Sequence, residues 1–383
     1  MDTLRLDSFI AIRHHLHQHP EIEGDTVQTS QLVADHLSAY GYKVHRHIGG
    51  HGLVAVLRRG TGTKSLGIRA DMDALPIHEQ NNFAHASKIA GRMHACGHDG
   101  HTTILLAAAK QIAQHCDFNG TLNLIFQPAE ENLTGAKAML EAGLFEQFPC
   151  DAIYALHNLP GIPVGTAIVQ AGTVMASSQR VLCKIIGKGG HGAMPEHTHD
   201  PIQALSAFIN AIQSIKSRNL NVQEYAVISI GSIHAGATYN VIPNEVELQL
   251  SIRTDTQAVL NKINHRMVQI VRGIELSFNV HISLVFDYLV PPVINSSAET
   301  LLLEQALADE DSGINVVPQT TTMMASEDFA WMLAQRPGCY FFLGNGEGEP
   351  YGCSIHNAHY DFNDQNIVLG AHCWTLLVEK YLN

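Results

Sequence analysis

Absences bound this 383-residue chain before any motif does. It has no Cys-x-x-Cys, and its seven cysteines, at 96, 116, 150, 183, 339, 353 and 373, are odd in number and widely spaced. That is not a disulfide framework. It reads as a reduced chain in which six of the seven thiols serve as buried apolar residues. No run of 18 apolar residues exists, so no membrane span is expected. The first residues, Met-Asp-Thr-Leu-Arg-Leu-Asp, lack the basic-then-apolar order of a secretory signal, so a cytoplasmic location is expected. Positive charge is scarce: 23 Lys and Arg against 36 Asp and Glu, a net charge of −13. Without a basic stripe a nucleic-acid partner is not expected, and the spread acidity serves solubility. Repeats, charge runs and low-complexity segments are missing too. The abundant exception is histidine, with 24 copies.

Three of those histidines and one cysteine crowd into Met93-His94-Ala95-Cys96-Gly97-His98-Asp99-Gly100-His101, just ahead of the helix-like run Ile104 to Ala109. Thiolate and imidazole suit zinc and its first-row neighbours. Glycine lets Cys96 and His98 approach one point, and a helix start would favour the thiolate form of Cys96. A lone Cys-x-His pair is usually just a buried thiol beside a polar histidine, so the remaining chain decides.

A helix is expected over residues 3–18, including Leu4, with His14, His15, His17 and His19 as a solvated face; His19-Pro-Glu ends it. A second helix runs near 29–40. Strands are expected at 42–48, 53–57, 65–70, 121–126, 151–156 and 339–343. They deliver Asp71-Met-Asp73, Gln127-Pro-Ala-Glu130-Glu131, His157-Asn158 and, after a glycine-rich loop, His356. Asp71 and Asp73 also suit a turn, and Glu130-Glu131 suits a helix N-terminus. Yet Asp71, Glu130, Glu131, His157 and His356 all follow strand ends, where α/β sheets bind ligands. Alternation of strands and helices over 40–170 predicts a largely parallel sheet covered on both faces.

Residues 177–290 have another rhythm: strand 181–187, helix 201–217, strands 226–233 and 245–253, helix 256–276, strand 280–286. This β-α-β-β-α-β order predicts a ferredoxin-like α+β domain inserted into a catalytic domain formed by 1–176 and 291–383. The insert carries its own polar residues: His191 in a glycine-rich loop, Asn240 and Arg253.

These motifs occur in a specific order: Asp71-x-Asp73-Ala-Leu-Pro, His94-Ala-Cys96-Gly-His98-Asp, Gln127-Pro-Ala-Glu130-Glu131, His157-Asn, Gly190-His191-Gly-Ala-Met-Pro, Asn240-Val-Ile-Pro and Ser326-Glu327-Asp328-Phe329. Over nearly its whole length the chain resembles the amidohydrolase branch of the aminoacylase/carboxypeptidase metallopeptidase family. That branch holds hippurate hydrolases, bacterial N-acyl-amino-acid deacylases and plant auxin-conjugate hydrolases. The resemblance implies two divalent metal ions held by Cys96, His98, Glu131, His157 and His356. It implies Glu130 as general base and then acid, Asp73 as the carboxylate orienting a ligand, and His191 as an oxyanion donor, in the family often supplied by a partner subunit. Asn240 and Arg253 would hold the amino-acid end of an N-acyl amino acid. The thiolate favours zinc, while the mixed donor set also accepts manganese, cobalt or nickel. The insert would act as a lid and dimerisation domain in a homodimer or higher homo-oligomer. Two departures, Gly24-Asp25-Thr26 after the His-Pro-Glu region and Ala358-His359 after His356, bear on substrate details. The competing expectations are a dipeptidase or carboxypeptidase of the same family, and a metal-binding protein without turnover. The adjacent Glu130 and Glu131 argue against the last, since a pure binding site needs no spare base.

Overall fold

Near-continuous apolar strands need cover on both faces, and the main sheet has it. The computed structural model describes residues 6–308, 312–319 and 321–383; residues 3–5 of the expected first helix, Leu4 among them, lie outside the described residues. Eight strands form the sheet in the order Lys43–Arg46, Leu53–Arg59, Gly120–Gln127, Ser65–Asp71, Ala152–Pro160, Gly338–Gly346, Thr166–Ile168, Asn315–Val317. Alternate residues such as Leu124, Ile68, Tyr154 and Phe341 join one apolar cluster, and the intervening Val54, Ile125, Ile153 and Tyr340 are equally buried.

The four central strands are mutually parallel. The sheet as a whole is mixed, parallel through its centre as expected and antiparallel in three of its pairings. Lys43–Arg46 and Leu53–Arg59 pair antiparallel, as does Leu53–Arg59 with Gly120–Gln127 and Gly338–Gly346 with Thr166–Ile168. For the first two strands the reason is connection length: the six residues between them permit only a hairpin, whereas parallel neighbours need a long crossover.

The helix His98–His115 packs on Gln365–Tyr381 and against the Ser65–Asp71 strand. Its centre is almost entirely Ala, Leu and Ile, buried on every side. The first helix, Leu6–Gln18, corrects an expectation. His15 is exposed and His14 and His19 are half-buried, but His17 is fully buried beside the equally buried Arg13. Arg13 donates to Asp99 at 2.9 Å and to Asp361 at 2.5 Å, and His17 sits 2.8 Å from Asp99 and 3.2 Å from Glu79. Partners drawn from distant chain segments replace water, so this face is an internal ion network. Of the six cysteines other than Cys96, five are buried and Cys353 is half-exposed.

The described residues form two compact units. One takes Met1–Val174, Ile294–Thr321 and Asp328–Asn383, the other Met175–Val293 with Thr322–Glu327. The second holds the short return segment through backbone bonds from Ala176 to Met323 and Ala325, and through Arg253 donating to Ser326 Oγ. Its four-stranded antiparallel sheet runs Ala226–Ala235, Glu245–Thr254, Ser178–Ile186, His281–Val290, the strand order of a ferredoxin-like unit. Helices Pro201–Ser214 and Gln257–Phe278 cover one face. Asp200 caps the first by accepting from Ile202 N, with Pro201 at the first helical position, and Thr256 caps the second.

Candidate metal centre

The carboxyl ends of the central parallel strands gather the polar side chains. Asp71 ends its strand and Asp73 lies two residues beyond; both are buried. Glu130 and Glu131 follow the Gly120–Gln127 strand in a tight loop whose flanks, Ala129 and Leu133, take left-handed backbone, φ 59° and 60°. His157 sits within the Ala152–Pro160 strand, and Cys96 precedes the His98–His115 helix. His356 comes from the loop after Gly338–Gly346, also left-handed at φ 61°, and its N–H donates to Ala95 O at 2.7 Å.

All five expected ligands come together. Cys96 Sγ lies 3.3 Å from His157 Nε2. His98 Nε2 is 3.9 Å from Glu131 Oε1, and His356 Nε2 is 3.5 Å from Glu131 Oε2. Donor atoms of Cys96, His98 and His157 lie within 4.8 Å of one another, as do those of Cys96, Glu131 and His356, and those of His98, Glu130 and Glu131. With metal–ligand bonds of ~2.0–2.3 Å, two ligands of one tetrahedral ion stand roughly 3.3–3.7 Å apart. His98 Nε2 and Glu131 Oε1 are buried without a hydrogen-bond partner among the described residues. Desolvated donors aimed at one another but not bonded are what a cation site requires, so these residues fit a metal pair.

The electrostatics agree. Burial opposes charge on His98, but Asp71, with Asp73 and Glu131, outweighs it and raises its pKa to about 10. Burial pushes Glu131 up to about 7, against His98 and with Asp73. Cys96 departs from expectation. Burial first, then Glu131 and Glu130, drive its thiol well above the usual range. The helix begins two residues later, at His98, too far to offset two carboxylates; a bound dication would.

Asp73 does more than face a histidine. It lies 3.5 Å from His98 Nδ1, and its two oxygens accept the backbone N–H groups of Glu130 and Glu131, each at 3.0 Å. Behind it Arg69, fully buried, donates to Asp71 at 2.6 Å, Gln127 at 2.9 Å and Asp328 at 3.3 Å. His101 Nδ1 meets Asp71 at 2.7 Å, and Asn158 and Tyr360 complete that layer. Sequence reasoning missed His101, Arg69 and Tyr360 as members of the site. His101 had a signal, three residues after His98 on one helix face; the other two had none. His94 is buried, its ring nitrogens lack a hydrogen-bond partner among the described residues, and burial lowers its pKa to about 4.

His191, Asn240 and Arg253 belong to the second unit. His191 and Val241 pair across a short two-stranded ribbon, and Gly192 N donates to Asn240 O at 2.9 Å. His191 is exposed, and its Nδ1 accepts from Ala193 N at 3.1 Å, which leaves the proton on Nε2. Arg253 is half-buried beside Ser326.

Residues 67–380 match the peptidase family M20/M25/M40. A hippurate hydrolase of Campylobacter jejuni is 40% identical over 374 residues, covering 98% of this chain and 96% of that one. An N-acetyldiaminopimelate deacetylase of Anoxybacillus flavithermus is 36% identical, covering 94% and 93%. A crystal structure of a dinuclear metal-binding M20 peptidase from Bacillus subtilis superposes with a TM-score of 0.86 at 30% identity, covering 98% of each chain.

Proposed function

Starting from the fact that this chain belongs to the peptidase family M20/M25/M40, in its amidohydrolase branch, and is a metal-dependent amide hydrolase, we propose that it cleaves N-acyl amino acids to a carboxylate and a free amino acid. The observation that carries this reading is Glu130, buried in the Asp73-anchored loop beside the cluster of donors, one residue from the ligand-type Glu131. Cys96, His98, Glu131, His157 and His356 would hold two divalent ions. The thiol favours zinc, and manganese, cobalt or nickel remain compatible with the carboxylate and imidazole donors. When bound, such ions polarise an amide carbonyl and acidify water from a pKa of ~16 toward ~7.

The chain's own groups then divide the work. Glu130 takes the proton of the attacking water and passes it to the leaving amine. Asp73 fixes the Glu130 and Glu131 amides, so the base cannot drift from the donors. His191, with its proton on Nε2, is in the tautomer that donates to an oxyanion. Arg253 offers a fork for the substrate carboxylate and Asn240 a hydrogen bond to it. The second unit acts as a lid and as the contact of a homodimer. Its exposed Leu182, Ile186 and Val285 support a partner surface, which sedimentation would test. None of the helices among the described residues is long and apolar enough to cross a membrane; a cytoplasmic site of action is part of this proposal.

Glu130→Gln should retain metal and fold yet lose at least ~10²-fold in turnover of N-benzoyl- or N-acetyl-amino acids, the lower end of what a general base contributes. Full activity in that variant removes Glu130 from its role. Preference for unmodified dipeptides over acyl amino acids in the wild type would favour a peptidase instead.

A further inference from the structure

We propose that Asn158 is the positioning residue for the thiol side of the metal pair: gripped by His101 and Tyr360, it sets Cys96 and His157 against one another. This rests on reading Cys96 and His157 as ligands. Every polar group of Asn158 is engaged. Its Nδ2 donates to Cys96 O at 2.7 Å and also lies 3.0 Å from His101 Nε2. Its Oδ1 accepts the Tyr360 hydroxyl at 2.8 Å. Its backbone N–H donates to His101 Nε2 at 3.0 Å, and its carbonyl accepts from His157 Nδ1 at 2.6 Å. One residue thus holds the backbone of Cys96 and the ring of His157.

The grip on the ring has chemical content. A proton on His157 Nδ1, donated to a carbonyl, leaves Nε2 with its lone pair, and Nε2 is the atom facing Cys96 Sγ. Such partners fix tautomer and orientation and raise ligand basicity. His101 is fixed in turn: Nδ1 donates to the Asp71 carboxylate, so Nε2 accepts both N–H groups of Asn158. Asp71 is itself anchored by Arg69. Asparagine is required, because an aspartate would place oxygen lone pairs against both Cys96 O and His101 Nε2. Asn158, His101 and Tyr360 are 1%, 1% and 0% exposed, so water cannot substitute for a lost partner. The packing also explains the glycine between Cys96 and His98. A Cβ on Gly97 would stand 2.3 Å from Asn158 Nδ2 and 2.5 Å from Tyr360 Oη.

The test uses cobalt(II) bound to the full-length protein, read by its thiolate-to-cobalt charge-transfer absorption and by competition with a chelator. Asn158→Asp should lower cobalt affinity 10- to 100-fold and shift that absorption, with unchanged far-ultraviolet circular dichroism. Tyr360→Phe, which keeps the ring and removes the hydroxyl, should move both readouts the same way by less. Cys96→Ser belongs in the same series. If it leaves the absorption intact, Cys96 is no ligand and the underlying reading falls. If Cys96→Ser abolishes the absorption while Asn158→Asp and Tyr360→Phe match the wild type, the positioning role is overturned. Should Asn158→Asp fail to fold, Tyr360→Phe decides: wild-type affinity and absorption there overturn the role.

Discussion

Changing Asp73 to asparagine probes the anchor of the Glu130–Glu131 loop at nearly constant volume. The carboxylate accepts two buried backbone N–H groups, those of Glu130 and Glu131, at 3.0 Å each. Hydrogen bonds to a charged group contribute ~1.5–3 kcal/mol net. Asparagine keeps one carbonyl oxygen and turns an amide N–H₂ toward the other donor, so one bond is lost and the charge is gone from both. The metal-free protein should lose about 1.5–3 kcal/mol of stability. The loss should also be local. Ala129 and Leu133 flank the loop in left-handed backbone, which costs roughly 1–3 kcal/mol per residue and persists only where the surroundings enforce it. With one anchor gone the loop relaxes, the two amides exchange with solvent faster, and Glu130 loses its fixed position. Denaturant unfolding without metal gives the first number, and hydrogen exchange of a peptide spanning residues 128–136 gives the second. Wild-type exchange at these amides, with an unfolding free energy within about 0.5 kcal/mol of wild type, as for an ordinary surface change, would refute the anchoring argument.

Gly97→Ala puts a side chain at φ 92° and against Asn158 and Tyr360; the backbone term alone is about 1–2 kcal/mol, so denaturation should show at least that loss, and a neutral result would show the contacts are not tight. His17 has its pKa raised above 6.5; burial opposes this and Asp99 and Glu79 outweigh it. A raised value means the contribution is complete below about 6.5 and fades as pH climbs through the folded-state pKa. The stability gap between wild type and His17→Gln should therefore be wider at pH 6 than at pH 9; a constant gap contradicts it. Removing metal with a chelator should lower Tm and zinc should restore it, by ~2.7 kcal/mol at a hundredfold excess over Kd; an unmoved Tm argues that the donors hold no ion.

Much of the donor cluster could be read from residues alone because its members are irregular against their surroundings. Two carboxylates after Leu124-Ile125-Phe126, or a histidine after Ala155-Leu156, interrupt apolar strands at positions core packing does not explain. Strand direction could be read only for the central parallel strands, since apolar patterning records burial and not orientation; the antiparallel pairs nearer the edges carry no such mark. His17 was misplaced for a related reason. Its partners Asp99 and Glu79 lie far along the chain, and helical periodicity cannot see a buried charge whose counter-charge is distant. Tyr360 and Arg69 lacked any local mark, because their importance comes from the groups they meet.

The chain order of the main sheet bears on how the protein is made. The strand Gly338–Gly346 lies between Ala152–Pro160 and Thr166–Ile168, so the sheet stays split until the last part of the polypeptide has left the ribosome. At ~5–20 residues per second, Cys96 waits on the order of tens of seconds for His356. The second unit's four strands, all between residues 178 and 290, are contiguous and can assemble during that delay. Cys96, His98 and His157 thus emerge well before His356, and the donor cluster is completed only when the loop after Gly338–Gly346 arrives.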